Sequence, residues 1–300
     1  MATTIAPIKN LDEILSSAQL PALPQTAIRL IELSQDASNG PREFAKPIEA
    51  DAGLMGQVLR FVNSSYFGFS REISSIPQAL ALVGVRTIKN FALWSAVFAL
   101  VPDPKFGPFD LKKLWQDSLR RALFARCLGR ELKLSNSEDL FAAALLQDMA
   151  IPLLLKELPE HYEALVERRA KEGVRLSQLE REIFGWDHAQ AAAALVRNWK
   201  LPESFARLIE RHPSVDDLID RGASELDAAC IAVAALLPAC QDDGWTEREK
   251  FFAVLPRIWQ GSTDGVERLF ANTDESFKDF APVMSLPVPK KSLIDWLHDA

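Results

Sequence analysis

The sequence predicts an all-α protein, and three observations carry that expectation. Ala and Leu together fill 80 of the 300 positions while Gly fills only 13, so local propensity favours helix along the whole chain. Val, Ile and Thr never dominate a stretch. No segment alternates apolar and polar residues with a period of two between Asn-Gly or Asp-Gly turns, the pattern a hairpin requires.

The elements follow in order. Leu11–Ala18 reads as a short helix stopped before Leu20-Pro21-Ala22-Leu23-Pro24, whose prolines force an extended link. Ile28, Leu30, Ile31 and Leu33 mark a helix from Gln25 that ends in the turn Asp36-Ala37-Ser38-Asn39-Gly40. Phe44 and Ile48, then Leu54, Val58, Leu59 and Val62, give two amphipathic pieces separated near Asp51-Ala52-Gly53. Asn63-Ser64-Ser65-Tyr66-Phe67-Gly68 is dense in side chains that bond their own backbone, and reads as a turn. Ser75 caps a helix with Pro77 in its first turn, closing at Gly84, and Val85 to about Leu100 follows at once.

Helix, glycine turn, helix is also the outline of a DNA-binding motif, with Arg86 and Lys89 near the start of the second helix. That helix, however, runs Phe91, Ala92, Leu93, Trp94, Ala96, Val97, Phe98. It is apolar nearly all round, which suits a core helix better than a groove reader.

Val101–Asp110 holds three prolines and is a connector. Leu111–Leu134 is a long helix whose Arg120, Arg121, Arg126, Arg130 and Lys133 cover more than one face, which reads as solvated surface. Leu140–Met149 is a very apolar helix ending in Gln147-Asp148, and Pro159–Gly173 is a charged one. Asp187-His188-Ala189-Gln190 has capping-box spacing and opens the helix Ala189–Trp199, and the next helix stops at His212-Pro213. Ala223–Ala239 and Arg248–Gln260 are further helices. Beyond Asn272 three prolines precede a short amphipathic tail, Ser292–His298, placed to dock on the body or on a partner.

A net charge of −7 argues against bulk attraction to phosphate backbones or anionic lipid. Cys127, Cys230 and Cys240 form no CxxC pair and sit in alanine-rich surroundings, so they read as small core residues rather than a disulfide framework or thiolate metal site. Met1–Asn10 lacks the basic start and apolar stretch of a secretory signal. The runs Phe91–Val101 and Ala228–Ala239 fall short of the roughly 18 residues a bilayer span needs. A cytoplasmic protein with no membrane and no nucleic-acid partner is the expectation.

The catalytic inventory is thin: His161, His188, His212 and His298, with no Gly-rich phosphate loop, GxSxG or HExxH motif. Histidines at helix ends read first as surface or capping groups. Asp148 stands out. It follows the apolar run Phe141–Leu146, where an unpaired carboxylate is costly, so it requires a metal, histidine, arginine or amide partner.

Several blocks then come together. Leu20-Pro21-Ala22-Leu23-Pro24, Ile48-Glu49-Ala50-Asp51, Val62-Asn63-Ser64-Ser65-Tyr66-Phe67-Gly68 and Ile73-Ser74-Ser75-Ile76-Pro77-Gln78-Ala79-Leu80 match, in order and spacing, the HDOD domain of bacterial signalling proteins. The pattern continues through Leu114-Trp115-Gln116-Asp117-Ser118, Ala144-Leu145-Leu146-Gln147-Asp148 and Asp187-His188 to Trp199-Lys200-Leu201-Pro202, so the resemblance covers about Leu11–Pro213. It implies a multi-helix core related to the HD phosphohydrolase fold over residues 1–213, with residues 214–300 as a helical extension packed on it.

What the resemblance implies about the site can be followed residue by residue. An active HD site uses a histidine, an adjacent His-Asp pair and a later aspartate to hold divalent metals. Here Asp117 stands at the first position, Gln147-Asp148 at the pair, and Ala234 or Ala235 at the last. His188 and His212 match histidine positions of related cyclic-dinucleotide phosphodiesterases, but His212 is followed by Pro213-Ser214-Val215-Asp216 rather than by their Gly-Tyr-Pro signature. The resemblance therefore implies a degenerate pocket of Asp117, Gln147, Asp148, His188 and His212, with no catalytic residue, cofactor or resident metal. The expected role is a non-enzymatic signalling output that binds a partner protein. A residual metal-dependent phosphohydrolase, or a small-molecule or cyclic-dinucleotide-binding protein, is the alternative.

Overall fold

Burying one apolar stripe per helix organises the chain, in a computed structural model, into eighteen α-helices and no strand among the described residues, which are 10–17, 22–36, 38–105, 107 and 109–299. Met1–Lys9, the end of the first predicted helix at Ala18, Leu20 and Pro21 of the first proline link, Ala37 of the following turn, and Phe106 and Pro108 of the connector lie outside the described residues.

The amino-terminal third holds α1 (Leu11–Ser17), α2 (Gln25–Ser34), α3 (Pro41–Ala50), α4 (Ala52–Val62), α5 (Ile76–Val83) and α6 (Val85–Leu100). Asp51 separates α3 from α4 and caps the latter, accepting from the Leu54 amide at 3.0 Å. The Asn63 side chain explains the turn that follows. Its Oδ1 accepts from the Ile73 amide and its Nδ2 donates to the Ile73 carbonyl, both at 2.8 Å, closing the loop on itself. Gly84, at φ 92° and ψ 147°, turns the chain through 115° between α5 and α6.

The centre of the fold is α7 (Leu111–Glu131), packed by α8 (Ser137–Leu146) on one side and, farther along the chain, by α15 (Leu226–Ala234) and α17 (Thr263–Phe280). Between these lie α9 (Ile151–Glu157), α10 (Pro159–Glu172), α11 (Leu176–Phe184), α12 (His188–Asn198), α13 (Glu203–Arg211), α14 (Val215–Arg221) and α16 (Arg248–Ile258), with α18 (Leu293–His298) on the back of α17. One hydrophobic core runs from Ile14 to Trp296. Helix α15 is buried all round, which accounts for its lack of a polar face. The carboxy-terminal segment is clasped at several points. Asp274 accepts from the Leu293 and Ile294 amides, Arg248 donates to the carbonyls of Trp296, Leu297 and Asp299, and Gln116 and Arg120 donate to those of Pro287 and Lys291.

Several expectations need correction. The basic side chains of α7 are not all solvated: Arg120 and Arg126 are buried and Arg121 nearly so. Because α7 is enclosed on most of its circumference, Arg120, Arg121 and Arg126 face neighbouring elements, although the buried Arg126 Nε has no hydrogen-bond partner. Arg120 donates to the Pro238 and Lys291 carbonyls, and Arg126 lies over the rings of Tyr66 and Phe141. The helix Leu140–Met149 ends at Leu146, and Ala223–Ala239 narrows to α15 behind a 3-10 turn at Gly222–Glu225. Four helices have no individual counterpart in the sequence reading: α9, α11, α14, and α17, which runs straight through Asn272. The thiols of Cys127, Cys230 and Cys240 are pushed up by burial, as fits packed side chains. Among the described residues no single helix is long and apolar enough to cross a membrane. Arg86, the first basic residue of the helix-turn-helix outline, donates to the Ser135 carbonyl at 2.7 Å.

Candidate functional site

Three side chains from three separate parts of the chain converge at the head of α12. Asp148 comes from the turn after α8, where Leu140–Leu146 is buried on every side and anchors it. His188 is the first residue of α12, fixed there by the Asp187 capping box, in which Asp187 Oδ1 accepts from the Gln190 amide at 3.0 Å and Gln190 Oε1 from the Asp187 amide at 3.0 Å. His212 follows α13, whose opposite face is strongly polar. All three are buried, so these two helix-end histidines are not surface groups, although His212 is the C-cap of α13 and bonds its Ile209 carbonyl; His161 is buried as well.

Asp148 Oδ1 lies 3.4 Å from His188 Nε2 and 3.5 Å from His212 Nε2, and the two Nε2 atoms are 3.3 Å apart. The outer ring nitrogens are occupied. His212 Nδ1 donates to the Ile209 carbonyl at 2.7 Å, and His188 Nδ1 donates to Glu180 Oε2 at 2.6 Å. A carbonyl can only accept, so the neutral His212 carries its proton on Nδ1 and presents a bare Nε2. Burial lowers His212 to about 3, so the neutral form holds. Burial also opposes charge on His188, but the Glu180 carboxylate, with Asp148, outweighs it and raises that ring to about 10. Burial alone would raise the Asp148 carboxyl; the Arg121 guanidinium bonded to its Oδ2, aided by both histidines, instead holds it well below the usual carboxylate range.

Of the five residues expected in the pocket, Asp148, His188 and His212 meet at one point, and Asp117 and Gln147 stand beside them. Asp117 lines the same cavity, of about 950 Å³, but turns Oδ1 to the Cys240 amide at 2.8 Å, and its carboxyl is raised by burial. Gln147 points Nε2 at Asp148 Oδ2 at 3.3 Å and leaves a buried Oε1 without a hydrogen-bond partner. Ala234 is buried and Ala235 lines the cavity, with no ligand atom from either. Reading the sequence missed three contributors. Arg121 sits on a helix whose basic residues read as solvated surface. Tyr162 and Glu180 lie in helices read only as charged or not read at all. Glu180 did carry a signal, since Leu176, Leu179, Glu180, Ile183 and Phe184 share one helical face and a carboxylate on that face demands a partner.

These donors suit a divalent cation. A tetrahedral centre with bonds of about 2.0–2.1 Å has donor–donor edges of about 3.3–3.4 Å, whereas N–H···O hydrogen bonds centre near about 2.9–3.0 Å. The observed edges of 3.3, 3.4 and 3.5 Å match the former. Two imidazoles and one carboxylate are the donor set of borderline metals such as Zn, Fe or Mn. Bound there, such an ion would act as a Lewis acid toward a ligand entering from the cavity.

The fold and this cluster define a class of protein, an all-helical domain with a buried carboxylate–imidazole pocket beside its central helix. Within that class the HDOD domain model matches residues 20–215, and the chain belongs to that family. The fold is shared with an HDOD domain protein of unknown function from Geobacter sulfurreducens (TM-score 0.70, 22% identity, 93% of this chain and 97% of that one). It is shared also with a protein from Marinobacter aquaeolei VT8 provisionally described as a signal transduction protein (TM-score 0.65, 21% identity, 94% and 62%), and with one from Shewanella amazonensis SB2B provisionally described as a phosphohydrolase (TM-score 0.67, 21% identity, 89% and 98%). An uncharacterized protein of Treponema pallidum (strain Nichols) is 25% identical over 197 residues, which are 63% of this chain and 37% of that protein. The matched region thus spans little more than a third of that relative.

Proposed function

We propose that this protein is a non-catalytic signal-transduction module that acts by binding a partner protein. The observation that supports this most directly is the Arg121–Asp148 pair. With Oδ2 held by a guanidinium, Asp148 has one oxygen left to offer and is not free to bridge two metals, as paired-metal phosphoester hydrolysis asks of such a carboxylate. Asp117 is committed to an amide, Gln147 is a neutral amide in the place of an imidazole, and Ala234 and Ala235 supply nothing. The test is turnover of bis(p-nitrophenyl) phosphate and of cyclic dinucleotides by the full chain with Mn, Fe or Zn added. Rates equal to those of Asp148→Ala are expected, and metal-dependent turnover lost in that variant would overturn the proposal. Partner binding is tested by capture from the host and reconstitution with the purified candidate, where a saturable complex is expected and its absence for every captured protein counts against the role.

A second reading is favoured by the convergence of the three donor atoms: the pocket holds one divalent cation as a structural or ligand-receiving centre without hydrolysis. Stoichiometric metal in the purified protein supports it.

A further inference from the structure

Glu180 is a buried carboxylate with no place in the HD donor set, and its surroundings are specific. Its Oε1 accepts from the Tyr162 hydroxyl at 2.6 Å, and its Oε2 accepts both from the His188 amide at 2.9 Å and from His188 Nδ1 at 2.6 Å. Glu180 and Tyr162 are both wholly enclosed. A carboxylate taken this far from water is costly unless its lone pairs are engaged, and three donors engage three of its roughly four acceptor sites.

The geometry does more than satisfy a charge. One oxygen grips the backbone and the ring of the same residue, so the His188 side chain is tied to the start of α12 at two points and its imidazole cannot swing. With Nδ1–H committed to Glu180, the ring proton a bound metal would displace is the one on Nε2, and Nε2 faces Asp148 Oδ1 and His212 Nε2. Tyr162, on α10, in turn holds the far oxygen and keeps Glu180 from rotating away. A carboxylate behind a metal-binding histidine sets ring orientation and raises ligand basicity.

We infer that Glu180, braced by the Tyr162 hydroxyl, is the positioning residue that aims His188 at a single divalent transition-metal cation held with Asp148 and His212. This rests on the one-cation reading above. It assigns to α10 and α11 a part in metal binding, although neither supplies a ligand.

The experiment titrates the chelator-stripped full chain with Co²⁺ alone, following its visible ligand-field bands, and with Zn²⁺ by calorimetry. Wild type is expected to bind one equivalent with a tetrahedral Co²⁺ spectrum. Glu180→Gln is expected to weaken binding about 10–100-fold and shift the bands, with Tyr162→Phe in the same direction by a smaller factor. Glu182→Gln, on the exposed side of α11, serves as control and should match wild type. Should Glu180→Gln fail to fold, Tyr162→Phe decides: affinity and spectrum equal to wild type overturn the inference. If wild type binds one equivalent and folded Glu180→Gln binds it equally, this inference falls and the cation reading stands. If wild type binds no metal, both fall.

Discussion

His188 and His212 face each other through their Nε2 atoms, 3.3 Å apart, with Asp148 Oδ1 within 3.5 Å of both. Two rings of one chemical type are held in opposite protonation states. His188 is raised to about 10 by Glu180 and Asp148 against the opposing effect of burial, and His212 is lowered to about 3 chiefly by burial.

A stability maximum near neutral pH follows from this. Between about pH 6.5 and 3 the unfolded chain binds a proton at His212 that the native state refuses, so stability is lost as pH falls. Between about 6.5 and 10 the native state keeps a proton on His188 that the unfolded chain releases, so stability is lost as pH rises. Each limb is expected to slope at up to about 1.4 kcal/mol per pH unit. Urea unfolding in chelator across pH 4.5–9 should show His212→Asn flattening the acid limb and His188→Asn the alkaline one; variants that leave both slopes intact would refute the assignment.

Removing Arg121 leaves the buried Asp148 carboxylate without its guanidinium. Arg121→Met should destabilise by about 3–5 kcal/mol, since breaking one side of a buried pair strands the other charge. Adding Asp148→Asn to that variant should restore part of the loss. A double-mutant cycle by chemical denaturation measures the coupling, and strictly additive losses would show that the pair does not act as one.

Gly84 holds φ 92° and ψ 147° in the turn between α5 and α6, and a Cβ there would meet no atom within 4 Å. Gly84→Ala is therefore a test of backbone strain without steric clash. A loss of about 1–3 kcal/mol is expected by thermal unfolding, and an unchanged melting temperature would mean that the turn relaxes freely.

The carboxy-terminal strap is expected to be integral to stability. Truncation after Leu286 would remove the carbonyls that receive Gln116 and one of the two that receive the buried Arg120, and would expose the face covered by Leu293 and Trp296. Limited proteolysis and urea unfolding should show a loss of more than about 2 kcal/mol. Arg248→Ala, which frees three carbonyls at the end of α18, should produce a milder loss in the same direction.

Much of the fold was legible because it is written in local terms. Asp51, Ser75 and the Asp187 box mark helix starts, Gly84 and Gly173 mark ends, and α5, α6 and α12 fall within a residue of their predicted bounds. Helix α17 is harder to read, since Gly265 and Thr273 fall on its buried stripe among Leu269, Phe270, Phe277 and Phe280 and three prolines follow it. The site divides the same way. Asp148 stands out by its place at the end of an apolar helix and His188 and His212 through the family resemblance, whereas Arg121 looks like any other arginine on a basic helix.

The sequence by itself determined most of the helices, many of their caps and the family to which the chain belongs, because each of these is written in residues and their near neighbours. Only the tertiary structure decided which charges are buried and whom they meet. Arg121 on Asp148, and Tyr162 and Glu180 behind His188, are separated by 27, 18 and 8 residues within their pairs. Their energies depend on exclusion of water, which arises only when α7, α10, α11 and α12 close around them.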